Sequence, residues 1–190
     1  MKKIFLIAAA AIITLSASAQ NLKFAHVNLQ ELVYLSADYE SAQKTLAASQ
    51  KEAQETYQSM VDEFNSKYSE YQQKASTWTA TIRETKESEL TRIQQSIQEF
   101  QQNIQTELSQ QESELISPIQ QKAIETVQKL AKDGGYVYVF EVGSLLYVNE
   151  AQSTDLTPAA RKALGIPEGR TVEDLQAALQ ALQPQQDEKD

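Results

Sequence analysis

The strongest constraint on this chain is an unbroken stretch. From Leu29 to Asp133, 105 residues contain no Gly and a single Pro, Pro118. Sandwiches, barrels and nucleotide-binding α/β domains need turn residues every few elements, so this stretch excludes them and leaves long helices. Its Gln, Glu, Lys, Ala and Leu are all good helix formers. The apolar residues fall into two near-heptad seams. Ala53, Tyr57, Met60, Phe64, Tyr71, Ala75 and Trp78 make the first, and Ile82, Leu90, Ile93, Ile97, Phe100 and Ile104 the second. Between them Ser76 to Thr81 carries hydroxyl and β-branched side chains that disfavour a helix interior and favour caps, so the turn is expected at 76–81. An antiparallel hairpin requires facing residues to have a constant sum of residue numbers. Ala53 with Ile104, Tyr57 with Phe100, Met60 with Ile97, Phe64 with Ile93 and Ala75 with Ile82 all give 157. Ala53 to Ala75 alone makes an arm about 35 Å long, and its Gln-rich flanks face solvent.

The ends of the chain read differently. Lys23 to Asn28 alternates weakly and reads as a short strand; Tyr136 to Val142 and Leu145 to Val148, separated by Gly143-Ser144, read as a β-hairpin. Gly134-Gly135 ends the second long helix, and Pro118 is placed to kink it. Pro158 to Leu164 is a short helix stopped by Gly165. Thr171-Val172-Glu173-Asp174 opens another with Leu175, Ala178, Leu179 and Leu182 on one face, either docked on the body or free for a partner. Pro184 to Asp190 has the composition of a disordered tail. The expected fold is mainly α with a small β body: a long antiparallel two-helix coiled-coil hairpin attached to short strands. Its divisions are 1–19, a leader; 20–35, the first strand and entry to the body; 36–132, the helical arm; 133–157, the β-hairpin of the body; and 158–190, a helical extension and tail.

Composition removes most chemistry. There is no Cys and one His, His26, so disulfides, thiol nucleophiles and thiolate metal sites are excluded and a His-based triad is disfavoured. No phosphate-cradling glycine loop is present, no Ser sits in a nucleophile elbow, and acidic residues on Gln-rich helices read as a solvated face. We expect no enzyme, no metal and no cofactor. Lys2-Lys3, the apolar run Ile4 to Leu15 and Ala17-Ser18-Ala19 read as a cleavable export signal, cut after Ala19. Cleavage removes two lysines and no acid, taking the net charge from −9 to −11. Such acidity argues against nucleic acid as a partner, and an exported Cys-free chain without a glycosylation acceptor suits a bacterial periplasm.

The order strand, long helix, turn, long helix and β-hairpin resembles the Skp/OmpH family of periplasmic chaperones. The likeness is carried by Ala25-His26-Val27-Asn28-Leu29-Gln30, Leu115-Ile116-Ser117-Pro118-Ile119, Ala131-Lys132-Asp133-Gly134-Gly135-Tyr136, and Leu146-Tyr147-Val148 followed by Asp155-Leu156-Thr157, over roughly residues 1–165. The resemblance implies a homotrimer whose strands form the body and whose arms enclose a cavity. It also implies an ATP-independent holdase for unfolded outer-membrane β-barrel proteins in transit. Val27, Val137, Val139, Phe140, Leu146 and Val148 are then candidates for the trimer body, since strands this short and apolar are not stable alone. Tyr39 and Tyr68, off the strict seam, and Tyr71 and Trp78 near the turn are candidate client contacts. Familiar members are basic, so the charge of −11 argues against direct lipid or lipopolysaccharide binding. The alternative is an envelope coiled-coil scaffold without clients, which gives no reason for a β body or for aromatics off the seam.

Overall fold

The computed structural model describes residues 22–181; the expected leader at 1–19, Leu182 and the tail at 184–190 lie outside the described residues. The chain runs β1 (Lys23–Val27), α1 (Leu29–Tyr34), α2 (Ala37–Lys74), α3 (Ala80–Gly134), β2 (Tyr136–Glu141), β3 (Ser153–Asp155), α4 (Thr157–Ala163) and α5 (Val172–Gln180). It is mostly helical, with one three-stranded sheet in the order β2-β1-β3.

Local chemistry explains most boundaries. Asn28 caps α1 by accepting the Glu31 N–H at 2.9 Å. Ser36 then interrupts what the composition reads as one helix: its hydroxyl accepts the Tyr39 N–H at 3.1 Å and donates to the Val33 carbonyl at 2.7 Å, so α2 begins afresh. The 38 residues of α2 span about 57 Å. A 3₁₀ turn, Ala75–Thr77, and Trp78 lead to Thr79, which caps α3. That helix of 55 residues runs through Pro118 and stops at Gly135, whose φ of 68° lies where L side chains are strained.

Across the two long helices Tyr57 Oη accepts from Gln101 at 3.0 Å, Lys67 pairs with Glu89, and Tyr71 donates to Glu87. Those residue numbers sum to 158, 156 and 158, within one of the register read from the seams. Pairs of cysteines at Tyr57 and Phe100, or at Phe64 and Ile93, are therefore expected to cross-link within one chain on mild oxidation. Tyr57 with Ile93 should not, because the seven-residue offset separates them by about 10 Å along the axis. Mobility on a non-reducing gel reads this out, and efficient cross-linking of the mismatched pair would overturn the register.

The sheet departs from expectation. No β-hairpin forms: β2 and β3 both pair parallel to β1, with Ala25 opposite Val139 and also opposite Thr154. Leu145–Val148 is not a strand, and the third strand lies further on, at Ser153–Asp155. The reason lies at the supposed hairpin turn. Glu141 turns its carboxylate inward, one oxygen accepting the Leu29 N–H at 2.8 Å and the other facing the Gly143 N–H at 3.5 Å, so Val142–Ser144 winds into a 3₁₀ turn and leaves the sheet.

Beneath the sheet, Leu32 and Leu35 are the large side chains fully withdrawn from solvent, ringed by Ala25, Ala42, Ala123 and Ala160. The C-terminal helices complete this core. Gly165, with φ of 72°, ends the turn after α4, and Thr171 and Asp174 cap α5 reciprocally. Leu175 is 3% exposed, so α5 lies docked on the body.

Candidate binding surfaces

The two faces of the sheet have opposite characters. Ala25 and Val27 point from β1 into the core, while Phe24 points outward and stacks on Tyr138, ring centroids 6.3 Å apart; Tyr138 in turn lies 6.0 Å from Phe140. Tyr138, Val137 and Phe140 are 59%, 47% and 44% exposed on an edge strand, and Leu146 and Tyr147 in the following loop are more open still. An uncovered aromatic face beside an unpaired strand edge is what soluble single chains avoid.

Among the residues expected to build the body, the structure thus separates two sets. Val27 is buried and Val139 packs against this chain's own core; Val137, Phe140 and Leu146 are exposed, and Val148 is half-buried. Strand parity, which sends alternate side chains to opposite faces, separates Val139 from Phe140; Val137, of the same parity as Val139, is the extra residue at a break in register, and Leu146 and Val148 lie outside the strands. A local break in the β1–β2 register between Lys23 and Phe24 shifts the parity of β2. Tyr138 and Tyr147, absent from that set, belong with the exposed residues.

The arm aromatics also divide. Tyr39 sits at the arm's root against Tyr34, 5.0 Å away, and burial pushes its phenol upward in pKa. Phe64 and Tyr68 stack at 5.9 Å with Tyr68 45% exposed. At the tip Tyr71 meets Trp78 edge-on at 5.9 Å, and its hydrogen bond to Glu87 raises its pKa. Lys67 and Lys86 both reach Glu89, and the Lys67 contact chiefly holds that carboxyl below its ordinary range. Nearer the root, a cleft of about 520 Å³ between the helices has Ala53, Phe100, Ile104 and Leu108 on its walls and Glu52, Glu107 and Glu114 at its rim. Between Arg92 and Lys122 the helix α3 carries four Glu and no Lys or Arg. The arms therefore offer scattered aromatic and aliphatic patches on acidic, Gln-rich rods.

His26 is accounted for structurally. Its Nδ1 lies 2.9 Å from the Ser153 hydroxyl, tying β1 to β3, with the side chain nearly buried. Among the described residues no three His, Asp or Glu side chains gather as metal ligands would, and no helix is long and apolar enough to cross a membrane.

Comparison with known proteins agrees with this architecture. The family of outer membrane proteins (OmpH-like) matches over residues 23–164. A crystal structure of a candidate outer membrane chaperone (OmpH-like) from Caulobacter crescentus CB15 superposes with a TM-score of 0.66 at 15% identity, covering 75% of this chain and 83% of the other. No curated protein matches significantly. At that identity the superposition speaks for the fold; the family match covers most of the chain.

Proposed function

The chain belongs to the OmpH-like family, and we propose that it acts in the periplasm as an ATP-independent holdase. In this reading three copies join through their sheets, the arms project around a cavity, and unfolded outer-membrane β-barrel proteins are held there in transit. The observation that carries it is the division of surfaces: a continuous aromatic patch at the body suited to association, and arms on which Tyr68, Trp78 and the Phe100–Leu108 cleft are dispersed among polar side chains. A barrel protein out of its membrane exposes apolar surface and unsatisfied backbone. Dispersed weak contacts inside a shared space keep such chains apart without fixing any one conformation. The proposed client contacts are Tyr68, Tyr71 and Trp78 on the distal arm, with Tyr39 lining the root. The export signal read in the first nineteen residues and the family together support the compartment.

Light scattering of an unfolded outer-membrane barrel protein, diluted from denaturant with and without this chain, tests the proposal beside a native mass measurement. Suppressed scattering near one assembly per client is expected. Undiminished aggregation would favour a scaffold without clients.

The electrostatics give a second expectation. Because the mid-arm is acidic and its contacts apolar or hydrogen-bonding, client affinity should change by less than about twofold between low and moderate salt, where the Debye length shrinks from roughly 30 to 8 Å. A several-fold loss over that range, followed by fluorescence anisotropy, would show that charge leads the binding.

A further inference from the structure

The start of α2 and Pro118 within the continuous α3 lie at the same level. In α2's line the helix breaks at Leu35-Ser36; in α3 Pro118 lacks the N–H that would bond back one turn, and its ring crowds the preceding turn. The structure brings the two together: Leu32, Ser36 and Asp38 share a small cleft with Ile119 and Lys122, and Lys122 bonds Asp38 at 2.7 Å. A rod about 57 Å long rises above this level, so a 10° tilt there moves its tip by about 10 Å.

The segment after the family-matched span crosses this level from below to above. Its anchor is Arg161 on α4. One guanidinium nitrogen donates to Glu31 of α1 at 2.6 Å, and another to the carbonyls of Pro167 and Arg170 at 2.9 and 2.7 Å, which fixes the loop between α4 and α5. Arg170 at the end of that loop donates to Glu40 of α2 at 2.7 Å, beyond the break, and Glu40 is also paired with Lys44 at 2.8 Å. Both arginines are mostly shielded, at 17–18% side-chain exposure, where ion pairs are less screened than on an open surface. Leu175 packs into the core, and Leu179 reaches the groove of Leu46, Ala47 and Leu108, further up the arm.

We propose that residues 165–181 form a strap that bridges the hinge at the arm's root and limits how far the arm swings. Arg161 is its body anchor, Arg170–Glu40 its arm anchor, and Leu175 and Leu179 its packed face. The consequence for a container rests on the holdase reading, but the strap itself is a property of the protein alone.

The test uses the full chain, spin-labelled through cysteines at the exposed positions Gln98 and Thr154 and diluted with unlabelled protein, so that the distance distribution reports arm against body. Arg170→Ala, Leu175→Ala and their combination are compared with Arg170→Lys, which keeps the charge pair. The combined variant is expected to broaden the distribution about twofold and to raise amide exchange in residues 172–180 and 36–46, while β1 stays protected and Arg170→Lys stays near the unmodified chain. An unchanged distance distribution once residues 172–180 exchange freely would overturn the strap. So would a tail that remains protected in the combined variant, since its grip would then lie elsewhere. Client protection is measured separately, so a failed holdase assay leaves this outcome standing.

Discussion

Replacing Tyr138 and Leu146 with Asp is expected to convert the assembly into single chains and to abolish protection of an unfolded client. Both side chains are exposed in one chain, Leu146 completely, and neither belongs to the packed core; within a chain Tyr138→Asp removes only the outer-face contacts with Phe24 and Phe140. In the proposed trimer the same positions are covered, and an unpaired carboxylate buried there costs several kcal/mol per copy, three times over. The aromatic ladder Phe24–Tyr138–Phe140 and the free edge of β2 supply the favourable side of that balance. Val139→Asp would be a poor substitute, because Val139 packs inward and its loss would unfold the body without testing the interface. Native mass spectrometry distinguishes the outcomes. Unmodified protein of one or two chains, or a monomeric variant with full holdase activity, would each defeat the model; circular dichroism like that of the parent shows that the variant is folded.

How far the chain could be read before folding follows from where each signal resides. The long helices announce themselves because periodicity and the absence of Gly are local and repeated over dozens of residues. The caps at Gly135 and Thr171 are equally local, since a positive φ or a reciprocal side-chain bond needs only neighbours in sequence. The sheet is another matter. Gly143-Ser144 between two apolar runs is a fair hairpin signal, yet it loses to the Glu141 carboxylate, whose partner Leu29 is 112 residues away. Ser153-Thr154-Asp155 has no apolar residue to mark it as a strand; it becomes one because β1 presents a free edge and His26 meets Ser153. Tyr39's place off the seam also has a local cause: the break at Ser36 resets the helical phase, and the ring turns toward Tyr34. The Arg161–Glu31 and Arg170–Glu40 pairs each span 130 residues, and no spacing in the sequence announces them.

Leu32→Ala is expected to be the most damaging substitution of a single apolar residue. Leu32 has no exposed surface and sits where α1, α3, α4 and the sheet converge, in a core whose neighbours Ala25, Ala123 and Ala160 have no side-chain freedom with which to fill a void. A cavity that cannot collapse places the cost toward the upper part of the usual range, about 2–5 kcal/mol. For a chain of this length that corresponds to a fall of roughly 5–15 °C in thermal midpoint. The cost also falls on a body of modest size, which typical domain stabilities of about 5–15 kcal/mol leave little room to absorb. Ile93→Ala is the internal comparison. Ile93 is the buried seam residue of the distal arm, 6% exposed, but it is flanked by half-buried Phe64 and Ile97 that can shift toward the gap. It should loosen the arm locally and leave β1 amides protected, whereas Leu32→Ala should expose β1 and release α5 together. Hydrogen exchange followed by mass spectrometry separates the two patterns. A Leu32→Ala midpoint within about 2 °C of the parent, about 0.5–1 kcal/mol for a chain of this size, would show that the arms rather than this core hold the molecule together.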